Sequence, residues 1–149
     1  DPAVIEEALA GHPQVAFVGA IGQPDSAAGE LPCAYVELIE GGSATVEELM
    51  AYADEHVHEQ AAVPKYLEVL TELPKTAVGK VFKPDLRRMA ITRVYNKALS
   101  DAGLDAQVSS VVEDKKLGLV AVVTAGAKTP TDDDMANVLG GFIRPWRWA

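Results

Sequence analysis

The chain has 149 residues, of which 48% are apolar and 23% charged, an ordinary balance for a soluble globular protein with room for one domain, or one domain plus an appendage. Its formal net charge of −9 argues against a nucleic-acid partner, since phosphate binding needs clustered basic residues. No apolar run approaches the roughly 18 residues of a membrane span, and no charged-then-apolar signal opens the chain, so a cytoplasmic setting is expected.

Cys33 is the single cysteine, which rules out an intrachain disulfide and fits a reducing compartment; it reads as a small buried strand residue. The first residue is Asp1 rather than a methionine, already at the entry of a helix, which suggests a piece of a longer polypeptide.

Asp1 can cap, Pro2 suits a first helical position, and Val4, Ile5, Ala8 and Leu9 make one apolar face, so a helix is predicted over 2–10, closed by Gly11. His12 falls in a turn between Gly11 and Pro13 and carries no ligand role. A strand is expected over 15–21, a turn at Gly22-Gln23-Pro24-Asp25, and a second strand over 32–40 stopped by Gly41-Gly42. Asp25 and Glu30 flank this loop without anything to order them as a catalytic or metal pair.

Thr45 with Glu48 gives a capping-box pattern, and Val46, Leu49, Met50, Ala53 and Val57 predict an amphipathic helix over 46–60. His56 and His58 are two apart and point away from each other on a helix, whereas a metal pair wants a spacing of three or four, so metal binding is disfavoured. A third strand is expected over 66–71, and a helix over Asp85–Leu99 with Leu86, Ala90, Val94 and Ala98 on one face and Arg87, Arg88, Arg93 and Lys97 elsewhere, a basic cluster close in sequence to Lys80. Beyond residue 100, strands at 108–112 and 117–123 around Asp114-Lys115-Lys116, then a helix over 131–139 with an acidic first turn, give a β-β-α appendage. The closing Phe142-Ile143-Arg144-Pro145-Trp146-Arg147-Trp148 alternates aromatics with arginines, as an edge strand or a docking patch would. The fold class is therefore α+β: a small three-stranded sheet flanked by helices, with residues 1–88 as one domain and 89–149 as a linking helix and α/β extension.

One stretch organises the rest: Leu73-Pro74-Lys75-Thr76-Ala77-Val78-Gly79-Lys80-Val81-Phe82-Lys83. Pro64 and Pro74 precede it, and Gly79 breaks an apolar run, as an exposed loop turning into a short strand would. Lys80 places an ammonium on a flexible stem directly after the glycine, a movable point charge suited to phosphate or carboxylate oxygens that gain charge in a reaction. Spacing alone also permits Lys75, Lys80 and Lys83 to be solvated lysines of a surface hairpin. A phosphate-cradling P-loop is excluded, because Pro74 and Val81 occupy the places where it needs Gly and Ser or Thr.

This stretch resembles the last core motif of acyl- and aryl-CoA synthetases in the adenylate-forming superfamily. The resemblance extends back, in order, through Asp1-Pro2-Ala3-Val4-Ile5-Glu6-Glu7-Ala8-Leu9, His12-Pro13-Gln14-Val15, Gly22-Gln23-Pro24-Asp25 and Gly29-Glu30, covering residues 1 to about 88. It treats the loop around Asp25 as a structural turn. It implies the mobile C-terminal domain of an ATP-dependent acid–CoA ligase, in which a carboxylic acid, ATP and Mg²⁺ give an acyl-adenylate and CoA then displaces AMP.

On that resemblance Lys80 is the adenylation lysine and Gly79 the loop residue that carries it. The partner is a large N-terminal adenylation domain of the same enzyme, which holds the remaining ATP and acyl contacts, so these residues alone are expected to be inactive. An exposed lysine in this role would also be open to acetylation, which removes its charge. A peptide-synthetase continuation is disfavoured, because Leu139-Gly140-Gly141 is followed by Phe142-Ile143-Arg144-Pro145 without the carrier serine. The competing class is a non-catalytic α/β module that binds a ligand or a protein.

Overall fold

The structure is a computed structural model, described for residues 1–59 and 62–149. It divides into two units: Asp1–Gly22 with Leu31–Arg87, and Gln23–Glu30 with Arg88–Ala149.

The first unit holds, in order, α1 (Pro2–Ala10), most of β1 (Val15–Asp25) and of β2 (Gly29–Leu38), α2 (Val46–His56) and β3 (Tyr66–Val69). The sheet order is β1-β2-β3, and β3 runs parallel to β2 with Cys33 opposite Tyr66 and Val36 opposite Val69. Both helices begin at side-chain caps: Asp1 accepts from the Ala3 amide and Thr45 from the Glu48 amide. Each cap satisfies a donor that the first helical turn leaves orphaned, a contribution of about 1 kcal/mol.

Ile5 and Leu9 from α1 and Leu49 and Ala53 from α2 meet Ala34 and Val36 of β2 and Leu67 of β3 in one core. Fully burying a Leu or Ile side chain stabilises by roughly 1.5–3 kcal/mol, so these contacts, rather than helix propensity, hold the short helices. Alternation puts Cys33 and Tyr35 on the opposite face from Ala34 and Val36, yet all four are buried, so β2 is covered on both sides. A Cβ at Gly19 would collide with Val81 and Leu86, so the chain leaving the lysine loop packs directly on β1 there.

The second unit carries most of α3 (Lys83–Asp101), then β4 (Ala106–Asp114), β5 (Gly118–Ala125), α4 (Asp132–Leu139) and β6 (Trp146–Trp148). β4 and β5 form an antiparallel hairpin with a register irregularity between Val108 and Ser110, and β6 lies parallel to β5 with Ala121 opposite Trp146. Asp114 makes the hairpin turn by accepting from the Lys116 and Leu117 amides. Those two bonds hold its carboxyl below the usual range. Ile91, Tyr95 and Leu99 of α3 pack with Ala121 and Val123 of β5 and Met135 and Leu139 of α4.

Several expectations shift. The turn expected at 22–25 is strand: β1 continues to Asp25, and the reversal comes at Ser26–Ala28. The reason is that Asp25 accepts from the Ala27 and Ala28 amides and Gly29 adopts φ +82°, which together close the turn. The helix expected over 46–60 ends at His56, where Val57 turns to an extended conformation, and Gln60 lies outside the described residues.

The short strand after Gly79 is a single bridge between Lys75 and Val81, and α3 starts at Lys83 rather than Asp85. On α3 the deepest line is Leu86, Ala90, Ile91, Tyr95 and Leu99, while Val94 and Ala98 are only partly buried. The aromatic tail is an edge strand: Trp146 and Trp148 pack against their own unit's core with rings 5.1 Å apart, edge to face. Among the described residues no helix is long and apolar enough to cross a membrane.

Candidate functional site

The lysine loop is a closed turn on a two-residue stem. Lys75 bridges Val81, the Phe82 amide donates to the Pro74 carbonyl at 2.7 Å, and the Thr76 amide donates to the Lys80 carbonyl at 2.7 Å. Inside that stem the Gly79 amide donates to the Thr76 carbonyl at 3.0 Å, and the Lys80 amide to Thr76 Oγ1 at 3.2 Å. Gly79 takes φ +84°, in the left-handed region that a side chain makes costly, and this is what lets five residues reverse. Ala77, Val78, Gly79 and Lys80 are all exposed, Val78 at 81%.

The three lysines of the stretch are then sorted by their surroundings. Lys75 Nζ donates to Glu37 Oε1 at 2.7 Å and stands 4.3 Å over the centre of the Phe17 ring. The two charged side chains are only 18% and 17% exposed, and the same Glu37 oxygen accepts from the Leu73 amide at 2.9 Å. The hydrogen bond from Lys75 is the main reason the Glu37 carboxyl titrates below its ordinary range. Lys83 pairs with Glu6 at 2.9 Å, and Glu6 Oε2 also accepts from the Ala20 amide. Glu6 thereby neutralises a cation at the first residue of α3, a position the helix dipole disfavours.

Among the described residues the Lys80 ammonium has no hydrogen-bonding or ion-pair partner, and it projects from an exposed turn. It is the one cation of the three left available to an incoming anion. Glu37, Glu6 and Phe17 have no signal in the sequence that ties them to the loop. Glu37 is a charged residue in an alternating strand, and its partner lies 38 positions away.

Other candidates dissolve into structure. Asp25 serves its own turn. His56 stacks on Tyr52 with ring centres 3.9 Å apart and its Nδ1 is 2.8 Å from the Tyr52 carbonyl, while Tyr52 meets His12 edge to face. Among the described residues no three of His, Cys, Asp and Glu assemble as a metal site. Three of the basic residues of α3 make local contacts: Arg88 Nε donates to the Val111 carbonyl, Arg93 to Gln23, and Lys97 to Asp101. Cys33 is fully buried, as a small strand residue should be.

Residues 4–80 match the AMP-binding enzyme C-terminal domain family, over half of the chain. The marinolic acid–CoA ligase of Pseudoalteromonas sp. (strain SANK 73390) is 33% identical over 141 residues, 93% of this chain and 21% of that protein. A probable acyl-activating enzyme of Arabidopsis thaliana is 39% identical over 88 residues, 58% of this chain and 16% of its own length. Among solved structures, an anthranilate CoA ligase in complex with anthranoyl-AMP superposes with a TM-score of 0.56 at 29% identity, covering 62% of this chain and 18% of that one. The chain thus spans about a fifth of the length of the curated relatives it matches. Of these three, the first extends over nearly the whole chain and so takes in β4 and β5. The match through residue 80, the superposition and the ordered turn that presents Lys80 agree: the chain belongs to the AMP-binding enzyme C-terminal domain family and is a C-terminal domain of the adenylate-forming acyl-CoA ligases.

Proposed function

We propose that this domain supplies the adenylation lysine, Lys80, of a ligase that joins a carboxylic acid to CoA at the expense of ATP. The observation that carries the reading is the sorting of the loop lysines: Lys75 and Lys83 are paired with Glu37 and Glu6, and Lys80 stays exposed and unpaired among the described residues. In the first half-reaction a carboxylate oxygen attacks the α-phosphorus of ATP, the bond to the bridging oxygen breaks, and pyrophosphate leaves with the electron pair. Negative charge grows on the oxygens around the α-phosphorus, and a positioned ammonium lowers the energy of that state. In the second, the CoA thiolate attacks the acyl carbon and AMP departs.

Residues 1–88 act as the mobile C-terminal domain, and 89–149 as its linking helix and extension. The large N-terminal domain of the same enzyme provides the acyl and nucleotide pockets and the Mg²⁺ contacts, so this domain is inactive by itself. Gly79 serves by letting the turn close behind Lys80.

The test separates the half-reactions in the full-length ligase. Lys80→Ala lowers adenylate formation, read by ATP–pyrophosphate exchange, by about 10²–10³, the scale for losing one preorganised contact to developing charge. With preformed acyl-adenylate the same variant transfers the acyl group to CoA at nearly the normal rate. Equal loss in both half-reactions would make the lysine a general support of the loop. Unchanged rates in both would return it to a solvated surface residue and favour a non-catalytic binding module.

A further inference from the structure

We propose that Glu37 is the positioning residue for Lys80: by holding both Lys75 and the Leu73 amide, it fixes the stem from which the catalytic ammonium is presented. This rests on the assignment of Lys80 to adenylation.

Val81 packs on β1 at Gly19 and Lys83 pairs with Glu6 on the far side of the loop; on the near side Glu37 is the anchor. The loop's tip, Ala77–Lys80, is exposed, and its internal hydrogen bonds set the shape of the turn without setting where the turn stands. The tether is at the stem. One oxygen of Glu37, on β2, takes the Leu73 amide at 2.9 Å and the Lys75 ammonium at 2.7 Å. Leu73 is itself buried, and the Lys75 ammonium is wedged between that carboxylate and the Phe17 ring on β1.

From Lys75 the constraint passes to the catalytic side through backbone alone. The Lys75–Val81 bridge and the bond from the Thr76 amide to the Lys80 carbonyl tie the two sides of the stem. A side chain on the central strand of the sheet is in this way linked to the residue that delivers the ammonium. The same contact has a second effect: it occupies Lys75, so that one cation and not two is free to meet the phosphoryl oxygens.

A misplacement of about 1 Å at a reacting group can cost on the order of 10² in rate. Glu37→Gln keeps an acceptor for the Leu73 amide and removes the charge that draws in Lys75, so a smaller loss, about tenfold, is expected in kcat for adenylate formation. Lys75→Met should lose about as much. The double variant should lose no more than either single one, because both remove one contact.

The measurements are made in the full-length ligase: kcat and KM for ATP and acid in adenylate formation, the rate of thioester formation from preformed adenylate, and amide exchange across residues 73–83. Support consists of the drop in kcat with KM within about twofold, an unchanged second half-reaction, non-additivity, and exchange that quickens in 73–83 while the α1 and α2 amides keep their protection. Normal kcat in both single variants overturns the proposal, as do losses that multiply in the double variant or fall equally on both half-reactions. Lys80→Ala is run alongside. If it abolishes adenylation while Glu37→Gln and Lys75→Met do not impair it, only the positioning role fails. If Lys80→Ala itself leaves adenylation intact, the assignment of Lys80 fails and the positioning role with it.

Discussion

Replacing Gly79 by Ala tests whether the shape of the turn, and not only the lysine, matters. No atom lies within 4 Å of where a Cβ would stand, so the substitution creates no clash and its cost is purely conformational. At φ +84° an L side chain is disfavoured by about 1–2 kcal/mol. The loop can escape by flipping residue 79 to a negative φ, which breaks the bonds from the Gly79 amide to Thr76 and from the Lys80 amide to Thr76 Oγ1. An energy of 1–2 kcal/mol corresponds to roughly a 5- to 30-fold fall in the population of the closed turn, so adenylate formation should fall about tenfold. Global stability should hardly move, because these bonds are exposed and the loop relaxes without disturbing the core. Asn, which tolerates the left-handed region, should lose less than Ala. Gly41 is the internal control: it has φ +79° and equally open surroundings, but lies in the connection after β2, so Gly41→Ala should leave adenylation unchanged. ATP–pyrophosphate exchange on the full-length ligase decides the matter. Full activity in Gly79→Ala, or Asn losing more than Ala, would refute the conformational reasoning.

Two further expectations concern packing and pH. Gly19→Ala would drive a Cβ into Val81 and Leu86, so it should destabilise by about 1–3 kcal/mol, visible as a lowered denaturant midpoint, and should also slow adenylation because Val81 adjoins Lys80. Tyr95 is fully buried with its hydroxyl donating to the Arg144 carbonyl at 2.6 Å, and burial pushes its pKa up to about 12. Because the folded pKa lies above the unfolded value of about 10, this residue's contribution is complete below pH 10 and is lost as pH rises towards 12. Tyr95→Phe should cost about 1 kcal/mol at neutral pH and flatten the decline in stability between pH 10 and 12, read from denaturant midpoints at both ends; an unaltered slope would mean that Tyr95 is not its source.

The sequence by itself determined the local grammar of this protein. Asp1 and Thr45 as caps, the apolar faces of α1 and α2, the three strands of the first sheet and the β4–β5 hairpin follow from side-chain chemistry acting within a few residues. Its order of motifs also carried the family, and its Gly-Lys pair carried the candidate lysine. Where the local signal was ambiguous, the structure chose: Pro24 suggested a turn, but β1 runs on to Asp25, whose own carboxylate closes the reversal. The buried line of α3 was equally hidden, because Val94 and Ala98 suit a core as well as Ile91, Tyr95 and Leu99 do, and only the sheet and α4 packed against it choose between them.

What tertiary structure alone decided is which of three similar lysines is free. Lys75, Lys80 and Lys83 are equivalent as isolated side chains, and a sequence holds no record that Glu37 will stand 2.7 Å from the first or Glu6 2.9 Å from the third. Those distances arise from packing α1 and the start of α3 on β1 and from setting the loop stem beside β2. A charge is neutralised by whatever the fold brings within a few ångströms, and here the fold brings carboxylates to two lysines and leaves the third exposed on its turn.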